Sequence, residues 1–229
     1  MSKTVVIHQP DFLPYLGFFH RFMQADCYII LDHVQFSRRG WTHRDQIKGR
    51  NGATWLSLSV KKGPFDICIR DVELLPREAW CEASLNLLRE NYQGTPFFDI
   101  VFPELKRIFE TPFDRLVELN LALIDLICGW LDIEIDKSRS SSLNPSGTKS
   151  EMIAGLVAAV GGTRYLSGLG ARDYHEQLPF DRRGIDVVWQ DFKNPVYPQQ
   201  FGEYVPYLSA IDALFNCGPQ ATARLLRSV

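Results

Sequence analysis

The chain has 229 residues, of which 23% are charged and 45% hydrophobic, and its formal net charge at pH 7 is −2. These values are typical of a globular protein that buries a full core, and they exclude an intrinsically disordered chain. The near-neutral balance gives no general electrostatic reason to bind nucleic acid or an anionic membrane, so we expect neither as a partner.

The amino-terminal segment enters strand-like sequence at once, without the basic and apolar regions of a secretory signal. The longest apolar stretch, 119–131, is interrupted by polar residues and is too short to cross a bilayer. The five cysteines are scattered and suggest neither a disulfide framework nor a zinc site. We therefore predict a cytoplasmic protein without membrane insertion.

The first predicted strand, 4–7, is continuously apolar, and the polar pair His8 and Gln9 follows it directly. A proline-containing turn comes next, then a segment with helical spacing at 15–24 and a second apolar strand at 27–31. This order predicts a right-handed parallel crossover with His8 and Asp32 at the same edge of a sheet. Open α/β sheets bind ligands at that edge.

Residues 33–50 lose this regular pattern and form a basic segment with interleaved aromatic residues. The segment places four cations in one predicted loop, Arg38, Arg39, Arg44 and Lys48, with Trp41 between them and Gln35 before them. Guanidinium groups bind phosphate and carboxylate oxygens through paired hydrogen bonds, so the segment suits a nucleotide or nucleotide sugar. A solvated basic loop is the alternative interpretation.

The remaining pattern predicts further elements along the chain. A β-hairpin is expected from strands at 54–60 and 67–74, and short strands at 133–135, 164–167 and 187–189. Helices are expected at 78–92, 104–110, 114–130, 152–160, 208–215 and 220–227, with a flexible loop at 138–147 and a rigid loop at 193–206. The fold class is α/β, with a parallel-sheet core, a β-hairpin and a helical C-terminal part.

We predict a core region over 1–137 and a smaller C-terminal part over 138–229, with one continuous domain as the alternative.

Lys149 lies near a predicted helix start, with hydroxyl groups on both sides, which favours an anion site. A plain helix capped by Thr148 or Ser150 explains the same pattern. Ser167 and Gly168 follow a strand where a ligand could approach the backbone, although a tight turn needs the same residues.

Two residues of the rigid loop at 193–206, Tyr197 and Gln199, are candidates to reach a site, although such covering loops are common without function. No pair of histidines has metal-binding spacing, so no metal site is predicted. For His8, a structurally satisfied histidine at a strand end is the alternative to a catalytic role.

Several segments give this sequence a resemblance to the WbqC-like family of bacterial proteins. The segments are His8 to Phe19, Ala25-Asp26, Leu31-Asp32, Val34 to Phe36, Trp41, Arg44, Tyr165 to Gly168, Tyr174, Tyr197, Gln199, Leu208-Ser209, Asp212 and Asn216 to Gly218. They extend over nearly the whole chain. The resemblance implies a role linked to O-antigen and other surface-polysaccharide gene clusters.

The N-terminal half also looks like nucleotidylyltransferases and pantothenate synthetase, which implies a Rossmann-type core and ATP, with Mg²⁺, as a cofactor. Gly17 fits the glycine of their phosphate-binding motif, but Tyr15 and Phe18 occupy its two histidine positions. His8 or His20 would have to substitute, and Lys149 would take the role of a later basic loop.

The resulting hypothesis is a transferase or ligase that moves an acyl or aminoacyl group onto a nucleotide-linked amino sugar. His8 and Asp32 are the catalytic candidates, and the substrate- or nucleotide-binding candidates are Gln9, Gly17, Gln35, Arg38, Arg39, Trp41, Arg44, Lys149, Ser167, Gly168, Tyr197 and Gln199. A non-catalytic component that binds a sugar or nucleotide sugar is the alternative. The expected partner is a small nucleotide sugar, with a homodimer as a further expectation.

Overall fold

The computed structural model describes residues 2–229 and contains both parallel and antiparallel sheet. The strands are β1 Thr4–His8, β2 Cys27–Ile30, β3 Arg44–Gly49, β4 Gly52–Ser57, β5 Asp136–Arg139, β6 Arg164–Ser167 and β7 Asp186–Trp189. The α-helices are α1 Leu16–Phe22, α2 Cys81–Tyr92, α3 Phe98–Glu110, α4 Leu116–Leu131, α5 Lys149–Ala159, α6 Leu178–Asp181 and α7 Ala210–Arg227. Short 3₁₀ helices lie at Ile69–Asp71, Arg77–Ala79, Ser140–Ser142 and Leu169–Tyr174. The predicted α/β class, with its parallel sheet, hairpin and C-terminal helix, is confirmed.

The chain forms two compact units, each assembled from separate segments. Unit 1 contains the segment up to Gln9, His20–His33 and Glu134–Phe192. Unit 2 contains Pro10–Phe19, Val34–Ile133 and Lys193–Val229.

Unit 1 is built on a five-stranded parallel sheet in the order β5-β2-β1-β6-β7. The chain extends the sheet from β1 to β2 and β5 on one side, then returns to add β6 and β7 on the other. The strand order therefore changes direction between β1 and β6. In open parallel sheets such a switch point is where ligands bind, outside the carboxyl ends of the strands.

The core of unit 1 lies where α5 and α6 cover one face of this sheet. Alternate strand residues such as Val5 and Ile29 pack there against Val157 and Phe180. Gly162 follows α5, and a Cβ atom at this position would lie 2.5 Å from Val5 Cγ2. Only glycine permits this close approach of the chain to the sheet.

Unit 2 combines α2, α3, α4 and α7 with the antiparallel hairpin of β3 and β4. Most residues of helix α4 are apolar and buried, as expected for a helix that packs among other helices. Helix α7 bends at Gly218, whose φ is 78°. A Cβ atom on Gly218 would lie 2.4 Å from Phe97 Cε1, so both the bend and the packing need glycine.

The hairpin does not lie where the sequence pattern places it. Its strands are Arg44–Gly49 and Gly52–Ser57, whereas 67–74 contains the 3₁₀ helix Ile69–Asp71 and isolated bridges at Cys68, Glu73 and Leu74. The prediction was wrong because β3 is polar, and its burial depends on partners distant in sequence: Lys48, only 1% exposed, donates from Nζ to the carbonyl of Glu203.

Several smaller predictions in the C-terminal half are also corrected. The short strand expected at 133–135 lies at Asp136–Arg139, and the expected flexible loop contains the end of this strand and the 3₁₀ helix Ser140–Ser142. Helix α5 has no side-chain cap from Thr148, and Ser150 Oγ instead accepts from the backbone N–H of Glu176 at 3.0 Å. The two expected terminal helices form one bent helix, α7.

Candidate functional site

The switch point of unit 1 separates β1 from β6 at their carboxyl ends. The β1–β6 ladder pairs Thr4 with Arg164 and Val5 with Tyr165 and then ends, whereas β1 stays paired with β2 as far as His8. The carboxyl ends of β1 and β6 carry His8 and Ser167, and the sequence prediction that polar groups collect at this edge agrees with their placement.

His8 is held in place by its own neighbour. Its Nδ1 lies 3.0 Å from the carbonyl oxygen of Gln9, and the Tyr28 hydroxyl donates to the carbonyls of His8 and Gln9 at 3.2 and 3.4 Å. Burial and the nearby Arg21 guanidinium lower the pKa of His8 to about 3. The imidazole is therefore neutral at physiological pH, and a proton on Nδ1 leaves Nε2 as the ring's hydrogen-bond acceptor.

Arg21 is a residue of this edge that the sequence analysis missed. It is 6% exposed, and a Cβ atom on Gly168 would lie 3.1 Å from its Nη1. Gly168 therefore lets the guanidinium lie against the chain just beyond β6. A charged residue between Phe18, Phe19 and Phe22 on one short helix was the available signal, because such a position is expected to be buried.

Gln190 of unit 1 was missed, whereas His20 was named as a possible substitute for a histidine of the nucleotidylyltransferase motif. His20 is buried between Gln24 and Gln190, with Gln190 Nε2 at 3.0 Å from His20 Nδ1 and the ring 5.2 Å from that of Phe192. Since Gln190 directly follows β7, this contact adds a second histidine to the carboxyl edge of the sheet.

Asp32 lies at this edge but is fully buried and accepts several hydrogen bonds. Ser140 Oγ and Ser141 N–H donate to Oδ1, both at 3.0 Å, and Ser141 Oγ donates to Oδ2 at 2.9 Å. Because the Ser140 hydroxyl gives its proton to Asp32, it accepts from His33 Nδ1 at 2.6 Å. Asp32 thus ties the chain after β2 to the chain after β5.

The other predicted residues of unit 1 differ in exposure. Ser167 is buried, and its hydroxyl lies 3.4 Å from that of Tyr165, whose pKa is raised by burial. Lys149 is exposed at the first position of α5, with a φ of 50°.

In unit 2 the basic segment forms a stack of rings and guanidinium. Arg44 Cζ lies 4.3 Å from the ring centroid of Trp55, and the Trp55 and Trp41 rings are 5.3 Å apart. Arg44 also donates to the carbonyl of Arg39 at 2.8 Å. Trp41 and Trp55 are 49% and 41% exposed, so the stack offers a half-open surface that includes a tryptophan the sequence analysis missed.

The rest of the predicted set in unit 2 is placed as follows. Gln35 Nε2 donates to the Phe65 carbonyl at 2.7 Å, Arg38 Nη2 donates to the Gly63 carbonyl at 3.2 Å, and Gly17 is buried in α1.

Tyr197 and Gln199 belong to a buried polar network around Asp212. Gln199 Nε2 donates to Asp212 Oδ2 at 2.9 Å, and the Tyr92 hydroxyl donates to Oδ1 at 2.8 Å. Burial raises the pKa of Asp212, and burial and the Asp212 carboxylate raise the pKa of Tyr197. Both side chains therefore fasten the loop before α7 to that helix.

In the described part of the chain, residues 2–229, no three His, Cys, Asp or Glu side chains are grouped so that they could hold a metal ion. Over the same residues, no helix combines the length and apolar character needed to span a membrane.

Sequence comparison identifies the family of the chain. A model of the WbqC-like protein family matches residues 9–224. The chain belongs to the WbqC-like protein family. The uncharacterized protein Rv1507c of Mycobacterium tuberculosis (strain ATCC 25618 / H37Rv) is 32% identical over 222 residues, which cover 96% of each protein. No solved structure matches the chain. The predicted membership of the WbqC-like family is confirmed.

Proposed function

We propose that this WbqC-like protein binds a nucleotide sugar at the carboxyl edge of the unit 1 sheet. The observation that carries the proposal is the early end of the β1–β6 ladder at the switch point, with His8, Arg21 and Gly168 beside it. We further propose a cytoplasmic transferase or ligase of surface-polysaccharide precursor synthesis, which moves an acyl or aminoacyl group onto the amino sugar.

Arg21 and Lys149 are the proposed phosphate-binding cations of unit 1. A buried guanidinium makes strong paired bonds to phosphate oxygens, and Gly168 leaves room for it at the backbone. Lys149 lies at the amino terminus of an 11-residue helix, where the helix dipole also favours anions. Ser167 and the backbone at Gly168 supply further hydrogen-bonding groups.

His8 is the proposed orienting group for the amine. A ring whose conjugate acid has a pKa near 3 is a weak base, so His8 is proposed to act on the amine as a neutral hydrogen-bonding group and not as a proton acceptor. In the proposed step the amine nitrogen attacks the acyl carbon, the bond from that carbon to the leaving oxygen breaks, and the amine proton passes to solvent or to the leaving group. Asp32 is assigned to positioning Ser140 and Ser141.

ATP is the proposed activator of the acyl group, with release of pyrophosphate. A magnesium ion would be held chiefly by the phosphates, since Mg²⁺ commonly uses few protein carboxylates. Gln9 is a further proposed contributor to substrate binding in unit 1. Within unit 2, the Arg44 guanidinium and the Trp41 and Trp55 rings are proposed as a separate surface that binds a flat ring. Gln35, Arg38 and Arg39 are proposed ligand-binding residues of unit 2.

Calorimetric titration with ATP, UDP-amino sugars and dTDP-amino sugars tests nucleotide binding. Arg21→Gln should weaken binding about tenfold or more, because it removes a charge-assisted contact. Arg164→Gln is the matched control, since Arg164 is an exposed arginine at the opposite end of β6. Absence of binding to the wild-type protein, or an equal loss in both variants, would contradict the proposal.

A non-catalytic nucleotide-sugar-binding protein is the second candidate function. It is favoured by the low pKa of His8, which makes the ring a weak base near neutral pH, and by the three donors of Ser140 and Ser141 that occupy the Asp32 carboxylate. Incubation with ATP, a small amino acid and a nucleotide-linked amino sugar separates the two candidates. Release of pyrophosphate supports the enzyme, and binding without release supports the binding protein.

A further inference from the structure

Unit 2 contains a cavity of about 200 Å³ beside the hairpin. Phe36, Leu58, Val60, Ile67 and Val72 form its apolar wall. An apolar cavity of about 150 Å³ is large enough to hold benzene, so this cavity can take a six-membered ring or a short branched chain.

The polar part of the lining is cationic. Arg38, Lys61 and Lys62 line the cavity, and Lys61 is neutralised by Glu73, with Nζ 2.7 Å from Oε2. Arg38 is fixed by its bond to the Gly63 carbonyl at 3.2 Å, and within residues 2–229 Lys62 forms no ion pair. Arg38 and Lys62 therefore supply the net positive charge of the cavity.

The His43 ring completes the lining. It packs edge-on against Phe36, with centroids 5.3 Å apart. Burial and the neighbouring Arg44 lower the pKa of His43, so the imidazole is neutral and adds no charge to the cavity. Its Nδ1 is buried without a hydrogen-bond partner in the described chain, at a cost in stability.

We infer that this cavity is a binding site for a small monocarboxylate with an apolar ring or branched tail. The tail packs against the apolar wall, and the carboxylate accepts hydrogen bonds from Arg38 and Lys62. Inorganic phosphate matches the cations but has no apolar part to cover the wall, which would then stay in contact with water. The inference concerns unit 2 alone and does not depend on nucleotide binding by unit 1.

Titration of the full chain with cyclohexanecarboxylate, cyclohexanecarboxamide and inorganic phosphate tests this assignment. We expect the carboxylate to bind and to shift the ¹H–¹⁵N resonances around His43 and Val60. The amide should bind about tenfold more weakly, and phosphate more weakly still. Equal affinity for carboxylate and amide, phosphate binding as tight as that of the carboxylate, or no binding at all would each overturn the inference.

Variants locate the site. Arg38→Gln should weaken carboxylate binding about tenfold, whereas Arg70→Gln, at an exposed arginine paired with Asp71, should leave it unchanged. Val60→Phe should fill the cavity and abolish binding. Unchanged affinity in a folded Val60→Phe protein would overturn the inference, and if that variant does not fold, the comparison of Arg38→Gln with Arg70→Gln decides.

Discussion

His8 in unit 1 and His43 in unit 2 both have a pKa lowered by burial and a nearby arginine, but their hydrogen bonding differs. His8 Nδ1 bonds to the Gln9 carbonyl, whereas His43 Nδ1 has no partner within residues 2–229. The first ring is held by a hydrogen bond from the protein itself, and the second ring lacks such a bond at the same nitrogen.

The same contrast extends beyond the two histidines. The buried side-chain atoms without a hydrogen-bond partner in residues 2–229 are His43 Nδ1, Arg44 Nε, Asn120 Oδ1, Gln200 Oε1 and Thr222 Oγ1. All of them belong to unit 2. At the sheet edge of unit 1, by contrast, a single carboxylate, that of Asp32, accepts three hydrogen bonds. Unit 1 therefore holds its sheet edge by internal bonding, whereas unit 2 tolerates several unsatisfied groups in its interior.

Removing the Asp32 carboxylate should give the largest effect. Asp32→Ala leaves three donors without their acceptor, and we expect the free energy of unfolding to fall by about 3 kcal/mol, measured by urea denaturation. Asp186→Ala, at an exposed aspartate that begins β7, should change it by less than about 0.5 kcal/mol. Similar small losses in both variants would show that the Asp32 bonds do not hold the sheet edge.

The low pKa of His8 should make stability depend on pH. In the unfolded chain the ring takes up a proton below about pH 6.5, while in the folded chain it stays neutral down to about pH 3. Stability is therefore lost as the pH falls from 6.5 toward 3, by at most about 2 kcal/mol at pH 5. Urea denaturation at pH 7.5 and pH 5 should show this loss in the wild type and a smaller one in His8→Gln. Parallel pH dependence in the two proteins would contradict a buried, neutral His8.

Replacing each histidine by phenylalanine tests the contrast directly. His43→Phe keeps a ring beside Phe36 and removes the unsatisfied nitrogen, so it should raise the free energy of unfolding by about 1 kcal/mol. His8→Phe breaks the bond to Gln9 and should lower it by a similar amount, about 1 kcal/mol. A loss of stability in His43→Phe would show that His43 Nδ1 makes a stabilising contact in the folded protein.

The smallest effect is expected at Gly168. Gly168→Ala brings a Cβ atom to 3.1 Å from Arg21 Nη1, and the end of this flexible side chain can move by a few tenths of an ångström. We expect nucleotide binding to weaken by less than about tenfold, measured by calorimetry. Gly170→Ala is the control, because its Cβ atom would meet nothing within 4 Å. Equal affinities of the two variants would show that Gly168 does not contribute to nucleotide binding.

The sequence predicted those elements whose residues are apolar in a continuous local pattern. β1 and β2 lie within a residue of their predicted positions, because strands buried on both faces need an unbroken apolar run. The position of His8 at the carboxyl end of β1 follows from the same pattern. β6 was also predicted at its observed position, with Ser167 at its end, although only Tyr165 and Leu166 in it are apolar.

The tertiary structure decided the elements and groups whose environment comes from distant parts of the chain. β3 and β5 are polar strands, and their residues give no apolar alternation to recognise. The burial of Arg21 against Gly168 depends on residues far apart in sequence. The burial of His43 Nδ1 without a hydrogen-bond partner likewise depends on the folded chain. A sequence shows whether a residue is apolar, but hydrogen-bond partners and burial depend on which segments meet in space, and for these residues only the folded chain determines that.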